Sequence, residues 1–277
     1  MFYLLLAIFS SAMISVMMRI STEKVKGKYG LLLMNYLVCT LLSAGYAGFD
    51  LFPAHDRMAQ TVGLGFFCGV LFLGAFLLLQ INVQKNGVVL SSIFMKLGLL
   101  VPMVLSIVFF GEMPGWLQML GFFVAIGAMI LINYEKGKNN AASAGGLILL
   151  LLAGGGADAM SKVFEEVGAN ELANQYLFYN FLMALLLCLV LVIRKREKIG
   201  GYEILFGSLL GVPNFFSTKF LLRALNDLPA VLAYPTFSVG TILAVTLAGV
   251  CLFHEKLRRR QIFAMIMILF ALILLNL

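Results

Sequence analysis

The chain has 277 residues, of which 62% are hydrophobic and 12% charged, against roughly 45–50% and about 25% in soluble domains. A water-soluble globule of this size lacks the interior to bury so much apolar surface, so lipid is the solvent and a large soluble domain is excluded. Twenty Lys and Arg against thirteen Asp and Glu give +7, yet no basic stripe is interleaved with aromatics, so nucleic acid is not the partner.

A spanning helix takes about 20 apolar residues, because ~30 Å of hydrocarbon is crossed at 1.5 Å per residue. Apolar runs of that length cover Phe2–Ile20, Tyr29–Phe49, Gln60–Gln84, Val88–Phe110 and Gly115–Tyr134. A polar linker, Glu135–Ser143, follows, and then come Ala144–Val167, Leu172–Ile193, Gly201–Asn226, Ala230–Phe253 and Leu257–Leu277. Each run is too long for a barrel strand, and lipid offers backbone groups no partner outside the segment, so all ten are predicted to be helices. Turn chemistry separates them at Lys85-Asn86-Gly87, at Gly111–Gly115 and at Asn226-Asp227-Leu228-Pro229. The first run lacks a basic leader and a small-residue cleavage site, which predicts a retained helix rather than a signal peptide. Cys39, Cys68, Cys188 and Cys251 each lie inside an apolar run without CxxC spacing, as expected of apolar fillers rather than metal ligands or disulfides.

The two halves resemble each other. A shift of 143 places Val88 on Val231, Phe110 on Phe253, Glu112 on Glu255 and Asn133 on Asn276. It also places Met17 on Met160, Arg19 on Lys162 and Glu23 on Glu166. A shift smaller by one brings Gly65-x-x-x-Gly69 onto Gly207-x-x-x-Gly211. This predicts an internal duplication, with repeats at 1–134 and 144–277 joined by the linker 135–143. Five helices is an odd number, so the second copy enters the membrane from the opposite side. Inverted repeats of this kind are a plan of secondary transporters. The predicted fold is therefore an all-α integral membrane protein with ten transmembrane helices in two inverted five-helix repeats.

One set of alternate loops holds fourteen Lys and Arg, among them Lys24, Lys85, Lys136, Arg194, Lys198 and Arg260, whereas the other holds Arg57 alone. The positive-inside rule puts the first set in the cytoplasm and both termini outside, for a multi-pass protein of the cytoplasmic membrane.

The sequence resembles the drug/metabolite transporter superfamily, specifically its ten-helix EamA-like members. The resemblance covers nearly the whole chain. It is carried by the two five-helix repeats and by the acidic residue closing each fourth helix, in Phe110-Gly111-Glu112 and Phe253-His254-Glu255. It implies a central cavity walled by helices one to four and six to nine, with helices five and ten at the periphery. Two features depart from it. His254 stands where the family pattern favours Gly, and such proteins are usually drawn with both termini in the cytoplasm.

An ionisable residue deep in a spanning helix is a functional candidate by default. Lys96, Asp158 and Lys219 qualify, and their counterparts in the other repeat, Val239, Ser15 and Leu77, are uncharged. Matched pairs such as Arg19/Lys162 and Glu112/Glu255 are instead expected to anchor helix ends. Lys96 has only Ser92 one turn away and is expected to line the cavity. Asp158 either pairs with Lys162 on its own helix, pairs across the cavity with Lys96 or Lys219, or couples transport to protons. Arg223 lies one turn beyond Lys219, where its head can snorkel to the interface. Pro213-Asn214 and Tyr234-Pro235 are expected to bend their helices and offer polar contacts. Asn35, Tyr36, Tyr179 and Asn180 either recognise substrate or hydrogen-bond within the bundle. Gly154-Gly155-Gly156 and the two GxxxG pairs are predicted close-packing sites.

These residues point to a secondary transporter for a small metabolite bearing a carboxylate or a zwitterion, such as an amino acid, acting by alternating access as a monomer or homodimer. No cofactor is expected, and without a Walker pattern ATP is not implied. The competing reading within the superfamily is an exporter of organic cations or drugs that uses Tyr36, Tyr179 and Tyr234 as an aromatic surround. A membrane-embedded enzyme fits less well, because the only histidines, His55 and His254, fall in different loops and Asp158 has no nucleophile beside it.

Overall fold

A chain solvated by lipid must close its backbone hydrogen bonds within each segment, and helix is what the apolar runs form. The computed structural model describes residues 1–21, 24–25, 27–86, 91, 94–95, 97–133, 144–253 and 259–275. Among them are ten α-helices and no strand: α1 (Phe2–Ser21), α2 (Lys28–Tyr46), α3 (Met58–Asn86), α4 (Leu100–Phe110), α5 (Trp116–Asn133), α6 (Ala144–Val167), α7 (Ala173–Lys195), α8 (Gly201–Leu225), α9 (Ala230–Phe253) and α10 (Arg259–Leu275). A single 3-10 turn, Asn170–Leu172, precedes α7. Seven of these helices, α1–α3 and α6–α9, are long and apolar enough to cross a membrane. Shorter apolar helices occupy Leu100–Phe110, Trp116–Ala128 and Met265–Leu275.

The predicted bounds of α6 and α9 coincide with the observed ones. Of the predicted Val88–Phe110 helix, Leu100–Phe110 is α4, with Gly98 and Leu99 as a turn before it. It stops where predicted because Gly111 takes the left-handed conformation (φ 69°), at which glycine is free of Cβ strain. The second helix is shorter than its apolar run. It was expected to reach Phe49 but ends at Tyr46, because Gly48 and Phe49 have φ of 65° and 59° and turn the chain away.

Packing divides the described chain into two compact units, Met1–Leu73 with Val163–Asn226, and Gly74–Lys162 with Asp227–Leu277. The predicted repeats 1–134 and 144–277 are thus distinct from the compact units, each of which draws helices from both halves. In the first unit, α8 packs on α1 and α2, and α2 packs on α7. In the second, α5 packs on α10, and α9 packs on α4, α5 and α10. The core of the second unit includes Leu99, Met103, Phe122, Val239, Ile268 and Ala271.

Both GxxxG pairs lie in the first unit and make parallel contacts. A Cβ on Gly65 would meet the Tyr176 carbonyl at 2.9 Å and the Tyr179 Cβ at 2.8 Å. On Gly207 it would meet the Leu31 carbonyl at 2.5 Å and the Met34 Cβ at 2.6 Å. One turn on, Gly69 abuts the Asn180 carbonyl and Met183, as Gly211 abuts the Asn35 carbonyl and Val38. Thus α3 seats on α7 as α8 seats on α2, through backbone that only a missing side chain lets approach.

Candidate functional site

In the second unit a buried ion pair joins three helices. Lys162 on α6 is 2% exposed, and its Nζ lies 2.7 Å from Glu112 Oε1. The other carboxylate oxygen of Glu112 accepts the Val231 N–H, 3.3 Å away, in the first turn of α9. An anion is favoured there by the helix dipole. Glu112 reaches both because the Gly111 cap turns the chain at the end of α4. This is the anchoring role expected of the residues matched between repeats. Their partners by register, Glu255 and Glu23, lie outside the described residues, as do His254, Ser92 and the linker 135–143.

Asp158, half-buried on α6, takes part through its backbone: its carbonyl accepts the Tyr234 hydroxyl at 2.6 Å. Lys162, one turn beyond Asp158 on α6, reaches Glu112. The glycine triplet is a close-packing site at Gly155, where a Cβ would meet the Val101 side chain at 2.6 Å. Lys96, the strongest cavity candidate from sequence, lies outside the described residues.

In the first unit the stretch Asn174–Asn180 opens α7 with five polar side chains. Four of them bind neighbours. The Asn174 amide donates to the Tyr46 carbonyl (3.0 Å), Gln175 donates to the Asp50 carbonyl (3.0 Å), and the Tyr179 hydroxyl donates to the Leu51 carbonyl (2.9 Å). These bonds hold the turn that ends α2. Tyr176 stacks on Phe164, with ring centroids 4.2 Å apart. The fifth, Asn180, is 1% exposed, and neither its amide nitrogen nor its oxygen has a hydrogen-bond partner.

Lys219 on α8 joins the same cluster. Its ammonium donates to Asn174 Oδ1 at 3.1 Å and sits 3.2 Å from the centroid of the Tyr46 ring. No described carboxylate pairs with it, so its charge is held by neutral groups. Tyr46 also borders a hollow of about 230 Å³ lined by Leu41, Leu42 and Gly45. Arg223 is exposed, with its guanidinium 5.8 Å from the Tyr3 ring. Asn214 donates to Asn35 Oδ1 at 3.3 Å, and Tyr36 is buried beside Asn35. The structure therefore gathers Lys219, Asn214, Asn35, Tyr36, Tyr179 and Asn180 in one unit and Asp158 and Tyr234 in the other.

Sequence reasoning missed the groups that cap helix ends. Glu197 accepts the Gly30 N–H at 2.6 Å, and buried Glu203 accepts those of Gly27 and Gly200, each at 3.0 Å, so two carboxylates sit at the positive end of α2. Arg57 does the converse, donating to the Val167 and Gly168 carbonyls at 3.2 and 3.1 Å, at the negative end of α6. A charge of the correct sign close to a helix terminus is the signal that could have found them.

A chain with seven membrane-length apolar helices and no strand among its described residues, and with buried charges held by its own side chains and backbone, is a multi-pass membrane protein. It belongs to the EamA-like transporter family, whose sequence model matches residues 1–134 and again residues 144–277. It is thus a membrane transporter of the drug/metabolite transporter superfamily. It is also similar to an uncharacterized protein of Haemophilus influenzae (strain ATCC 51907 / DSM 11121 / KW20 / Rd), 24% identical over 92% of this chain and 91% of that protein. A solved crystal structure shares the fold, with a TM-score of 0.77 and 12% identity, covering 99% of this chain and 96% of the other.

Proposed function

We propose that the protein is a secondary transporter that moves a small metabolite bearing a carboxylate or a zwitterion, such as an amino acid, across the cytoplasmic membrane. The observation that carries the substrate class is the contrast between two lysines. Lys162 lies against the Glu112 carboxylate, whereas Lys219 lies against the neutral groups of Asn174, Tyr46 and Phe215. A lysine in a spanning helix with no described carboxylate beside it is suited to an anionic group brought by a substrate. By its place in the sequence Lys96 is the second candidate for that role, and Asp158 the candidate for proton coupling. Transport proceeds by alternating access between two inverted five-helix repeats, with both termini outside.

The reading of an organic-cation exporter draws less support. The ring of Tyr179 is packed against Phe52, Phe66 and Phe178, and the aromatic face of Tyr46 is already covered by Lys219.

The test is thermal stability of the purified protein in detergent against amino acids, carboxylates, sugar phosphates and quaternary amines at two pH values. A ligand at 100 times its Kd adds about 2.7 kcal/mol to the folded state. Carboxylates or zwitterions should raise Tm in the wild type and fail to do so in Lys219→Met and Lys96→Met. A rise with quaternary amines alone, retained in both variants, transfers the function to cation export.

A further inference from the structure

We propose that Asn180 is a cargo-binding residue, and that it takes a group presenting a hydrogen-bond donor and an acceptor side by side, as a carboxamide or an ammonium–carboxylate pair does. The inference rests on the transporter reading above and adds the side chain on α7 that meets the cargo.

The first support is a structural equivalence that a constant sequence shift hides. Sliding by 143 aligns Tyr36 with Tyr179. The glycine contacts align Asn35 with Asn180 instead, since each presents its carbonyl to the second glycine of a GxxxG pair. The two asparagines occupy corresponding places on α2 and α7, yet they are treated differently. Asn35 accepts a hydrogen bond from Asn214, three residues beyond Gly211. Three residues beyond Gly69 the chain has Phe72, whose ring packs edge-on against Phe181, centroids 6.4 Å apart, directly after Asn180. Where one copy supplies an amide, the other supplies a hydrocarbon, and Asn180 is left with both amide atoms unpartnered.

The second support is energetic. A buried amide without hydrogen bonds is destabilising relative to one in water, and lipid offers no relief. A leucine at this position would carry no such cost. The neighbouring donors of Asn174, Gln175 and Tyr179 each reach a carbonyl of the turn after α2. Although Gln175 Oε1 is also unmet, Asn180 alone of these amides has neither its donor nor its acceptor paired. A group that weakens the fold and serves no structural bond is suited to a partner from outside the chain.

The third support is chemical. A carboxamide offers two N–H donors and a carbonyl acceptor in one plane and carries no charge. A zwitterion or an amide satisfies both sides, a quaternary ammonium satisfies neither the donors nor the acceptor, and a plain carboxylate satisfies the donors alone. At 1% exposure the group is closed off here, and cargo meets it when α7 parts from a neighbour.

The experiment compares Asn180→Leu and Asn180→Ala with Asn35→Leu in the full-length protein. Asn180→Leu should raise Tm, because an apolar side chain of similar shape removes the unmet amide. Asn35→Leu should lower it by stranding Asn214. With millimolar L-glutamine, L-leucine or acetamide as probes, the wild type should be stabilised by at least one. Glycine betaine and 4-methylpentanoate should have weaker effects. The response should weaken at least tenfold in apparent affinity in both Asn180 variants. The inference is overturned if both Asn180 variants lose stability or fail to fold, since the amide would then be structural. It is equally overturned if the probe response survives in Asn180→Leu, or if no donor-bearing probe stabilises the wild type. Active transport of betaine by Asn180→Leu liposomes would remove the role of Asn180 while leaving the transporter reading in place.

Discussion

Two lysines near the ends of long helices, Lys162 buried and Lys219 half-buried, are held in opposite ways. Lys162 meets a carboxylate, Glu112, which also caps α9. Lys219 meets an amide oxygen and the face of a tyrosine. The first has a basic counterpart in the other repeat, Arg19, and the second has none. Residues that a duplication keeps in both copies are the ones its shared scaffold uses. Residues present in one copy only are free to serve a cargo that has no such symmetry. The same contrast separates Asn35, which is bonded within the bundle, from Asn180, which is not.

The comparison breaks most visibly at Glu112. Removing one partner of a buried ion pair strands the other charge, at a cost of about 3–5 kcal/mol. Glu112→Gln should therefore lower Tm sharply or prevent accumulation of folded protein, and Glu112→Gln with Lys162→Met should recover most of the loss. Thermal unfolding of the three proteins in one detergent decides this. A single variant as stable as wild type would show that Lys162 draws its compensation elsewhere.

The glycine contacts give the next effect. At Gly211 an added methyl would lie 2.6 Å from the Val38 Cβ and 2.7 Å from the Asn35 carbonyl, so α2 and α8 must separate. Overpacking of this kind costs about 1–3 kcal/mol. Gly154 has nothing within 4 Å, and alanine there should be neutral or stabilising by up to about 1 kcal/mol. Unfolding of Gly211→Ala beside Gly154→Ala separates close approach from mere helix propensity. Equal effects would mean that the α2–α8 contact yields without strain.

Much of this was legible in the sequence. The bounds of α6 and α9 and the two GxxxG contacts follow from apolar run length and small-residue spacing. The 143-residue register marks Lys162 and Glu112 as matched positions without pairing them with each other. Other features were not, because they depend on neighbours distant in the chain. The end of α2 at Tyr46 is set by α7 side chains that catch the carbonyls of Tyr46, Asp50 and Leu51. The equivalence of Asn35 and Asn180 is invisible to any single shift, since the glycines repeat at 142 and the residues they touch at 145. Glu203 reads as an ordinary charge at a helix start until its oxygens are seen on Gly27 and Gly200.

Lys219 tests the other arm of the comparison. Its contacts with Tyr46 and Asn174 are worth about 0.5–2 kcal/mol, so Lys219→Met should change stability little. Uptake of carboxylate or zwitterionic cargo into proteoliposomes should nevertheless be lost. A loss of stability as large as that of Glu112→Gln would make Lys219 a second structural anchor, and the two lysines would cease to differ in kind.

The smallest expected effect falls on Arg57, the one basic residue in its set of loops. Its guanidinium bonds the terminal carbonyls of α6 from an exposed position. Such a group at a helix C-terminus contributes about 0.3–1 kcal/mol, screened by salt. Arg57→Gln should lower Tm slightly at low ionic strength and by less at high salt. Its effect on membrane orientation should be nil, because the opposite loops carry fourteen cations and the bias depends on their sum. Cysteine labelling of intact cells at an engineered loop position reads that orientation directly. A variant that inverted would show that a single cation, placed where it closes a helix, outweighs the count on the other side.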